Sequence, residues 1–209
     1  KEVFDKSYDL KRRDPEGIVV LNQFDEFGNA VWHYACTGPA IEEVYQEIKS
    51  GDQNFTALFL TQGSAGTLAC GDYLREKFPQ IRICAGEALQ CPTLLYNGYG
   101  EHRIEGIGDK HVPWIFNIKN IDLAAGIDDR DCLRIMRLFN ETQGKNFLKK
   151  IPIQDEIVNK LDLLGISAIA NLIGCIKTAK YYEMNEKDMI FSIATDSMEL
   201  YDSRVSELK

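Results

Sequence analysis

The sequence predicts an α/β fold, a three-layer αβα arrangement in which helices cover both faces of a mostly parallel sheet. Short segments that are apolar throughout alternate with amphipathic segments along the chain. Strands without a polar face must be buried on both sides, and parallel strands need crossovers that are usually helical. The 209 residues are 44% hydrophobic and 27% charged, which is ordinary globular composition. We therefore expect one α/β domain over residues 1–209.

Apolar runs predict five strands, at residues 18–24, 57–60, 81–85, 121–127 and 189–194. Apolar residues at helical spacing predict four helices, at residues 38–49, 66–78, 128–140 and 167–182. Thr37 is a candidate N-cap for the first of these helices, and Pro39 lies in its first turn. Residues 142–160 are polar and irregular, with some helix. Residues 87–120 are rich in Gly and Pro, and excursions of that length in compact domains often carry function.

The charge, the cysteines and the histidines exclude several classes of protein. The net charge is −8 and the basic residues are scattered, so no nucleic-acid partner is expected. The longest apolar runs are far shorter than the ~18 residues that span a bilayer, so no membrane partner is expected. The six cysteines show no C-x-x-C spacing and several lie in apolar stretches, which favours a reducing, cytoplasmic compartment. The three histidines lack metal-ligand spacing, so we expect no metal site.

A phosphate site is predicted at the turn Gln62-Gly63-Ser64-Ala65-Gly66-Thr67, between a predicted strand and a predicted helix. The first amides of a helix are unpaired and carry a partial positive charge, and small residues let an anion approach them. Ser64 and Thr67 add hydroxyl donors. No Lys follows Gly66, and G-x-G-x-x-G is absent, so this is neither a Walker A nor a dinucleotide motif. A plain turn of small residues is the alternative.

A second turn of this kind is Gly165-Ile166-Ser167-Ala168, which opens the last predicted helix. A serine at this place is a typical N-cap, since its hydroxyl accepts a hydrogen bond from a free helix amide. The same hydroxyl can also face a ligand.

Six segments in order resemble one family of enzymes. They are Asn22-Gln23-Phe24, Thr37-Gly38-Pro39, Gly63-Ser64-Ala65-Gly66-Thr67, Arg103-Ile104-Glu105-Gly106-Ile107-Gly108 with Val112-Pro113, Gly165-Ile166-Ser167-Ala168 and Thr195-Asp196-Ser197. They resemble the pyridoxal-phosphate enzymes of the tryptophan-synthase-β fold type (fold type II), in the cysteine synthase and cystathionine β-synthase branch. The resemblance runs in register from about Ile18 to the C-terminus, and it implies the large, C-terminal domain of such an enzyme.

The resemblance implies a role for each matching residue. Gly63, Ser64, Ala65, Gly66 and Thr67 would hold the phosphate of pyridoxal phosphate. Ser167 would hydrogen-bond the pyridine nitrogen, where other folds place a carboxylate.

Four further residues are implied to belong to the substrate pocket. Gln23 would lie near the substrate carboxylate, and Gly106, Ile107 and Gly108 would line the pocket and take part in its closure. The sequence also departs from the family pattern, because Ala65 replaces the usual Gly, and Ile169 and Ala170 follow Ser167 where smaller residues are commoner.

No catalytic residue is expected in these 209 residues. In the family the Schiff-base lysine precedes the strand that carries the Gln-Phe pair, and no matching segment lies before Ile18 here. Lys110 is a disfavoured substitute. The chain is therefore expected to be the cofactor-phosphate-binding part of a longer enzyme and to be inactive alone.

The parent enzyme would be a lyase or transferase that carries out β-elimination or β-replacement on a small amino acid, as in cysteine biosynthesis. By resemblance it would be a homodimer, and the cysteines favour a cytoplasmic one. Two alternatives stay open: a non-catalytic ligand-binding or scaffold module of the same fold, and an ordinary nucleotide-binding α/β domain.

Overall fold

A four-stranded parallel sheet forms the centre of the computed structural model, which describes residues 2–207. Its strands are β1 (Asn54–Thr61), β2 (Arg82–Ala88), β3 (Leu123–Ile127) and β4 (Asp188–Phe191). Their order across the sheet is β3-β2-β1-β4, and every pair is parallel. This confirms the predicted α/β fold, and it confirms four of the five predicted strands.

Ten α-helices surround the sheet within the described residues: α1 (Glu2–Arg13), α2 (Phe27–Trp32), α3 (Gly38–Ile48), α4 (Ala69–Lys77), α5 (Thr93–Tyr96), α6 (Asp129–Asn140), α7 (Thr142–Leu148), α8 (Asp155–Lys160), α9 (Ile166–Tyr181) and α10 (Asp202–Glu207). The four predicted helices correspond to α3, α4, α6 and α9. None of these helices is long and apolar enough to cross a membrane.

Hydrophobic residues on the two faces of the sheet form two separate cores. Phe59 of β1 packs with Met136 of α6 and Ile169 of α9 on one face. Leu58 and Leu60 of the same strand point to the other face, where they belong to a cluster with Tyr45 and Leu74 from α3 and α4. Successive side chains of a strand alternate between faces, so β1 supplies both cores. The three-layer arrangement follows from this alternation.

The predicted strand at residues 18–24 is wrong. This segment has no β-strand pairing, and its backbone makes only local hydrogen bonds, such as Asn22 N–H to the Val20 carbonyl. Val19 and Leu21 are 80% and 90% exposed. The apolar pattern is that of a strand, but strand geometry needs a neighbouring strand to bond with, and this segment joins neither edge of the sheet.

Thr37 does not cap a helix, contrary to expectation. Helical backbone is continuous over residues 27–48, because a π-helical turn, His33–Thr37, links α2 to α3. Thr37 itself has helical dihedral angles, and its hydroxyl pairs with Nδ1 of His33 at 2.9 Å. Helix α4 begins three residues later than predicted, since residues 66–68 still belong to the turn after β1.

Candidate active site

The turn at residues 62–67 directly follows β1, at the carboxyl edge of the sheet. In parallel sheets this edge is where ligands bind. Gln62 holds the turn in place through its backbone: its N–H donates to the Gly86 carbonyl at 2.8 Å, and its carbonyl accepts from Gly108 N–H at 2.8 Å. The turn is thereby fixed between β2 and the predicted pocket segment.

Five consecutive backbone amides of this turn are free to bind an anion. The N–H groups of residues 63–67 donate no hydrogen bond to any residue between 2 and 207. Ala65, in the middle of this row, has a left-handed conformation, with φ of 62°. Unpaired amides around a left-handed residue, just before a helix, are typical of an anion-binding nest.

Asn29, which the sequence analysis did not single out, closes one side of the turn. Its Nδ2 donates to Ser64 Oγ at 3.0 Å and to the Gln23 carbonyl at 2.9 Å. Its carboxamide packs so closely on Gly66 that a methyl group there would overlap it. A lone asparagine in a short helix gives no sequence signal of a contact with a turn 35 residues away.

Ser167 lies in the first turn of α9 but is not its N-cap. The N-cap is Gly165, and the Asp196 carboxylate accepts the free amides of Ser167 at 3.0 Å and Ala168 at 2.9 Å. The Tyr201 hydroxyl donates to the same carboxylate at 2.8 Å, and burial together with this bond raises the pKa of Tyr201. The N-cap interpretation of Ser167 is wrong, because Asp196 performs that role from another segment.

The Ser167 hydroxyl is instead paired with the Thr195 hydroxyl, with Oγ and Oγ1 2.7 Å apart. Ser167 is buried. One helical turn later, the buried Asn171 side chain accepts from Thr61 N–H at 2.7 Å and donates to the Ile193 carbonyl at 2.9 Å. Asn171 therefore ties the start of α9 to the end of β1, where the anion-binding turn begins.

The predicted pocket residues border the turn. A Cβ at Gly63 would lie 3.4 Å from the Gly106 carbonyl oxygen and 3.5 Å from Cα of Ile107. Gly106 and Gly108 have φ of 83° and 84°, which favours glycine. The Ile107 side chain packs in a hydrophobic core, so only its backbone faces the turn. Gln23 is joined to the turn through Asn29.

A cavity of about 1100 Å³ adjoins Phe24 and Gly108. His102 lies in its wall, where burial lowers the pKa of the imidazole and Nδ1 has no partner among the described residues. Lys110 is exposed there, with Nζ 5.4 Å from the centre of the Tyr99 ring.

Glu87 is a buried carboxylate near the end of β2. It accepts hydrogen bonds from the backbone amides of Leu94 and Leu95, while burial raises the pKa of its carboxyl group.

Comparison with curated proteins finds relatives that are named cystathionine beta-synthase or cysteine synthase. The chain is 25% identical over 192 residues to cystathionine beta-synthase of Saccharomyces cerevisiae, covering 88% of this chain and 34% of that protein. It is 27% identical over 201 residues to a cysteine synthase of Helicobacter pylori, covering 95% of this chain and 56% of that one. No family model matches the chain.

Two solved structures share this fold at similar identity. A hydrogen sulfide-producing enzyme from Fusobacterium nucleatum is 25% identical, with a TM-score of 0.75 over 97% of this chain and 54% of that one. An O-acetylserine dependent cystathionine beta-synthase from Helicobacter pylori is 26% identical, with a TM-score of 0.72 over 96% of this chain and 57% of that one.

The chain is a homologue of the cysteine synthases and cystathionine beta-synthases.

This confirms the resemblance inferred from the sequence segments. The chain spans between 34% and 58% of the length of the curated relatives it matches. It therefore has the size of a fragment of these enzymes.

The residues present fit the cofactor that the resemblance implies. Five free amides in a nest suit a phosphate group, and Ser64 and Thr67 lie among them. The Ser167 hydroxyl is uncharged, as the pyridine partner in this fold type is expected to be. The carboxamide of Gln62 is fully buried without a partner among residues 2–207, so a polar group is needed next to the turn.

Proposed function

We propose that this chain is the cofactor-phosphate-binding part of a pyridoxal-phosphate-dependent lyase or transferase. The reaction would be β-elimination or β-replacement on a small amino acid, as in the cysteine synthases that the chain resembles. The observation that carries this proposal is the row of free amides at residues 63–67, at the edge of the sheet where α9 also begins. Bound pyridoxal phosphate supplies an electron sink for carbanion chemistry.

Each part of the chain has a separate task in this proposal. The turn with Ser64, Ala65 and Thr67 binds the phosphate through its amides and hydroxyls, and the amino end of α4 adds a favourable dipole. Ser167 contacts the pyridine nitrogen with a neutral hydroxyl, which places no negative charge beside the ring. Gln23 and residues 106–108 border the substrate on the side of the large cavity.

Two ligands, inorganic phosphate and pyridoxal phosphate, distinguish the role of Ser167 from that of the anion-binding turn. Inorganic phosphate has no pyridine ring, so Ser167→Ala should leave its affinity unchanged while it lowers the affinity for pyridoxal phosphate about three- to tenfold, one hydrogen bond's worth. Ser64→Ala should weaken both ligands, and the exposed Ser50→Ala should weaken neither. Calorimetric titration of the full 209-residue chain measures these affinities. Loss of both affinities in Ser167→Ala would remove Ser167 from the pyridine site.

The same proposal holds that no lysine of these 209 residues forms the Schiff base. Borohydride reduction of the chain with pyridoxal phosphate should give no stoichiometric adduct on a single lysine. Peptide mass mapping checks this. A stoichiometric adduct on Lys110, which lies at the large cavity, would overturn this part of the proposal.

A non-catalytic module of the same fold makes the same binding predictions. The two functions are distinguished by the intact mass of the native protein, since a species of 23.7 kDa would favour the module. We also propose that the parent is a cytoplasmic homodimer, by resemblance to the family. Light scattering on the native protein tests the dimer.

A further inference from the structure

Asn29 connects two parts of the proposed site that are distant in sequence. It is half-buried on α2, and its amide donates to the Glu26 carbonyl at 3.1 Å. Its side chain reaches both Ser64 of the anion-binding turn and the backbone of Gln23.

Hydrogen-bond accounting at Asn29 fixes the direction of the Ser64 hydroxyl. The Gln23 carbonyl can only accept, so the atom that contacts it must be the amide nitrogen Nδ2. The same Nδ2 carries a second hydrogen, which Ser64 Oγ accepts. The hydroxyl hydrogen of Ser64 must therefore point away from Asn29, and it has no acceptor among residues 2–207.

A hydroxyl that accepts a hydrogen bond is a better donor, because chains of hydrogen bonds polarise one another. Ser64 lies within the row of free amides at residues 63–67, so its unassigned donor is part of that nest. The carboxamide of Asn29 also covers Gly66, where it leaves no room for a side chain.

We propose that Asn29 is a positioning residue for the anion-binding turn. It directs the Ser64 hydroxyl to donate to a phosphate group, and it links phosphate binding to the segment that carries Gln23. This inference rests on the proposed phosphate site. Linkage is reciprocal, so phosphate in the turn should also steady the segment at residues 22–26.

Titration of the full chain with inorganic phosphate tests the first half. Asn29→Ala should weaken phosphate binding about three- to tenfold, and so should Ser64→Ala, since each removes the same polarised donor. The double variant should bind no more weakly than the weaker single variant, because the two residues act as one unit. Asn140→Ala is a matched control, since Asn140 is a half-buried asparagine that bonds the Met136 carbonyl at the end of α6. It should bind like the wild type.

Hydrogen exchange tests the second half with a readout other than activity. Phosphate should slow exchange of the Asp25 and Glu26 amides, which donate to the Asn22 carbonyl, in the wild type. It should not do so in Asn29→Asp, which keeps the size of the side chain but cannot donate. If Asn29→Ala binds phosphate as tightly as the wild type, or the two single losses multiply in the double variant, the inference is wrong while the phosphate site stands. A wild type that binds no phosphate would overturn the phosphate site and the inference together.

Discussion

Ala65 occupies a conformation that suits glycine. With φ of 62° its methyl group crowds the following carbonyl, which costs about 1–2 kcal/mol for a residue other than Gly. The same methyl is buried in the core on the α3 and α4 side, where it contributes about 0.8 kcal/mol. Strain and burial therefore nearly cancel at this position.

This balance predicts an unusual response to Ala65→Gly. The substitution removes the strain but also the buried methyl group, and it adds about 0.4–1 kcal/mol of entropy to the unfolded chain. We expect the free energy of unfolding to change by less than about 1 kcal/mol. Urea denaturation measures the change.

Ala170→Gly is the matched control, because Ala170 is fully buried within α9 at helical φ. It should cost about 2 kcal/mol, the sum of about 1 for helix propensity and about 0.8 for the methyl. Equal losses at positions 65 and 170 would show that Ala65 is unstrained.

Candidate site residues can be proposed from the sequence where the neighbouring residues carry the chemistry. Gly63 to Thr67 and Ser167 stand at strand-to-helix turns, so small and hydroxyl residues there point to an anion. Asn29 and Asn171 were missed because their partners lie 35 and 110 residues away, and a lone asparagine in a helix carries no spacing signal. Asp196 was recognised as part of a segment, but its capping of α9 depends on tertiary contact.

At the scale of elements, α9 packs directly on β1. A methyl group at Gly174 would overlap the ring of Phe59, which is itself fully buried in the central strand. Gly174 therefore sets how closely the helix approaches the sheet. This close approach also positions two residues of the candidate site, because Ser167 and Asn171 lie on the same helix.

Gly174→Ala should destabilise the protein despite a gain of about 1 kcal/mol in helix propensity. Overpacking of a buried position typically costs about 1–3 kcal/mol. Here the neighbour is the fully buried ring of Phe59, which has no space to move into. We expect a net loss of about 1 kcal/mol or more, measured by thermal or urea unfolding. Gly28→Ala is the opposite case, since nothing lies within 4 Å of its added methyl group, and it should be neutral or stabilising. A stabilising Gly174→Ala would contradict the packing of α9 on Phe59.

The strands show where periodicity succeeds and where it fails. Apolar runs found β1 and β2, which are buried, and also the edge strands β3 and β4, which are mostly half-buried but pair with them. The run at residues 18–24 has the same composition, yet Val19 and Leu21 are exposed. Composition reports that a segment suits a strand, whereas pairing depends on which other strands are beside it. Helix α1 was missed because charged residues dominate it, and α2 because six residues are too few to show a helical period.

At the scale of the whole molecule, the six cysteines differ in solvent exposure, because most of them lie in the two cores. All six thiols are free. Cys70, Cys84, Cys91 and Cys132 are buried, Cys175 is half-buried, and Cys36 is exposed on the π-helical turn. Burial raises the pKa of Cys70, Cys84 and Cys132 to about 12, and that of Cys175 to about 11.

Thiol labelling should therefore report the integrity of the cores. The thiolate is the reactive form, and at pH 8 a thiol of pKa about 12 is ionised in only about one molecule in ten thousand. With N-ethylmaleimide at pH 8 we expect one fast-reacting thiol in the native protein, Cys36, and six in urea. Cys36→Ser should abolish the fast phase. Labelling of Cys70, Cys84 and Cys132 should become faster as urea approaches the unfolding midpoint, because their sulfur atoms become accessible only when the cores open. Rapid native labelling of Cys84 or Cys132, one on the central sheet and one on α6, would show that the core between them is open in solution.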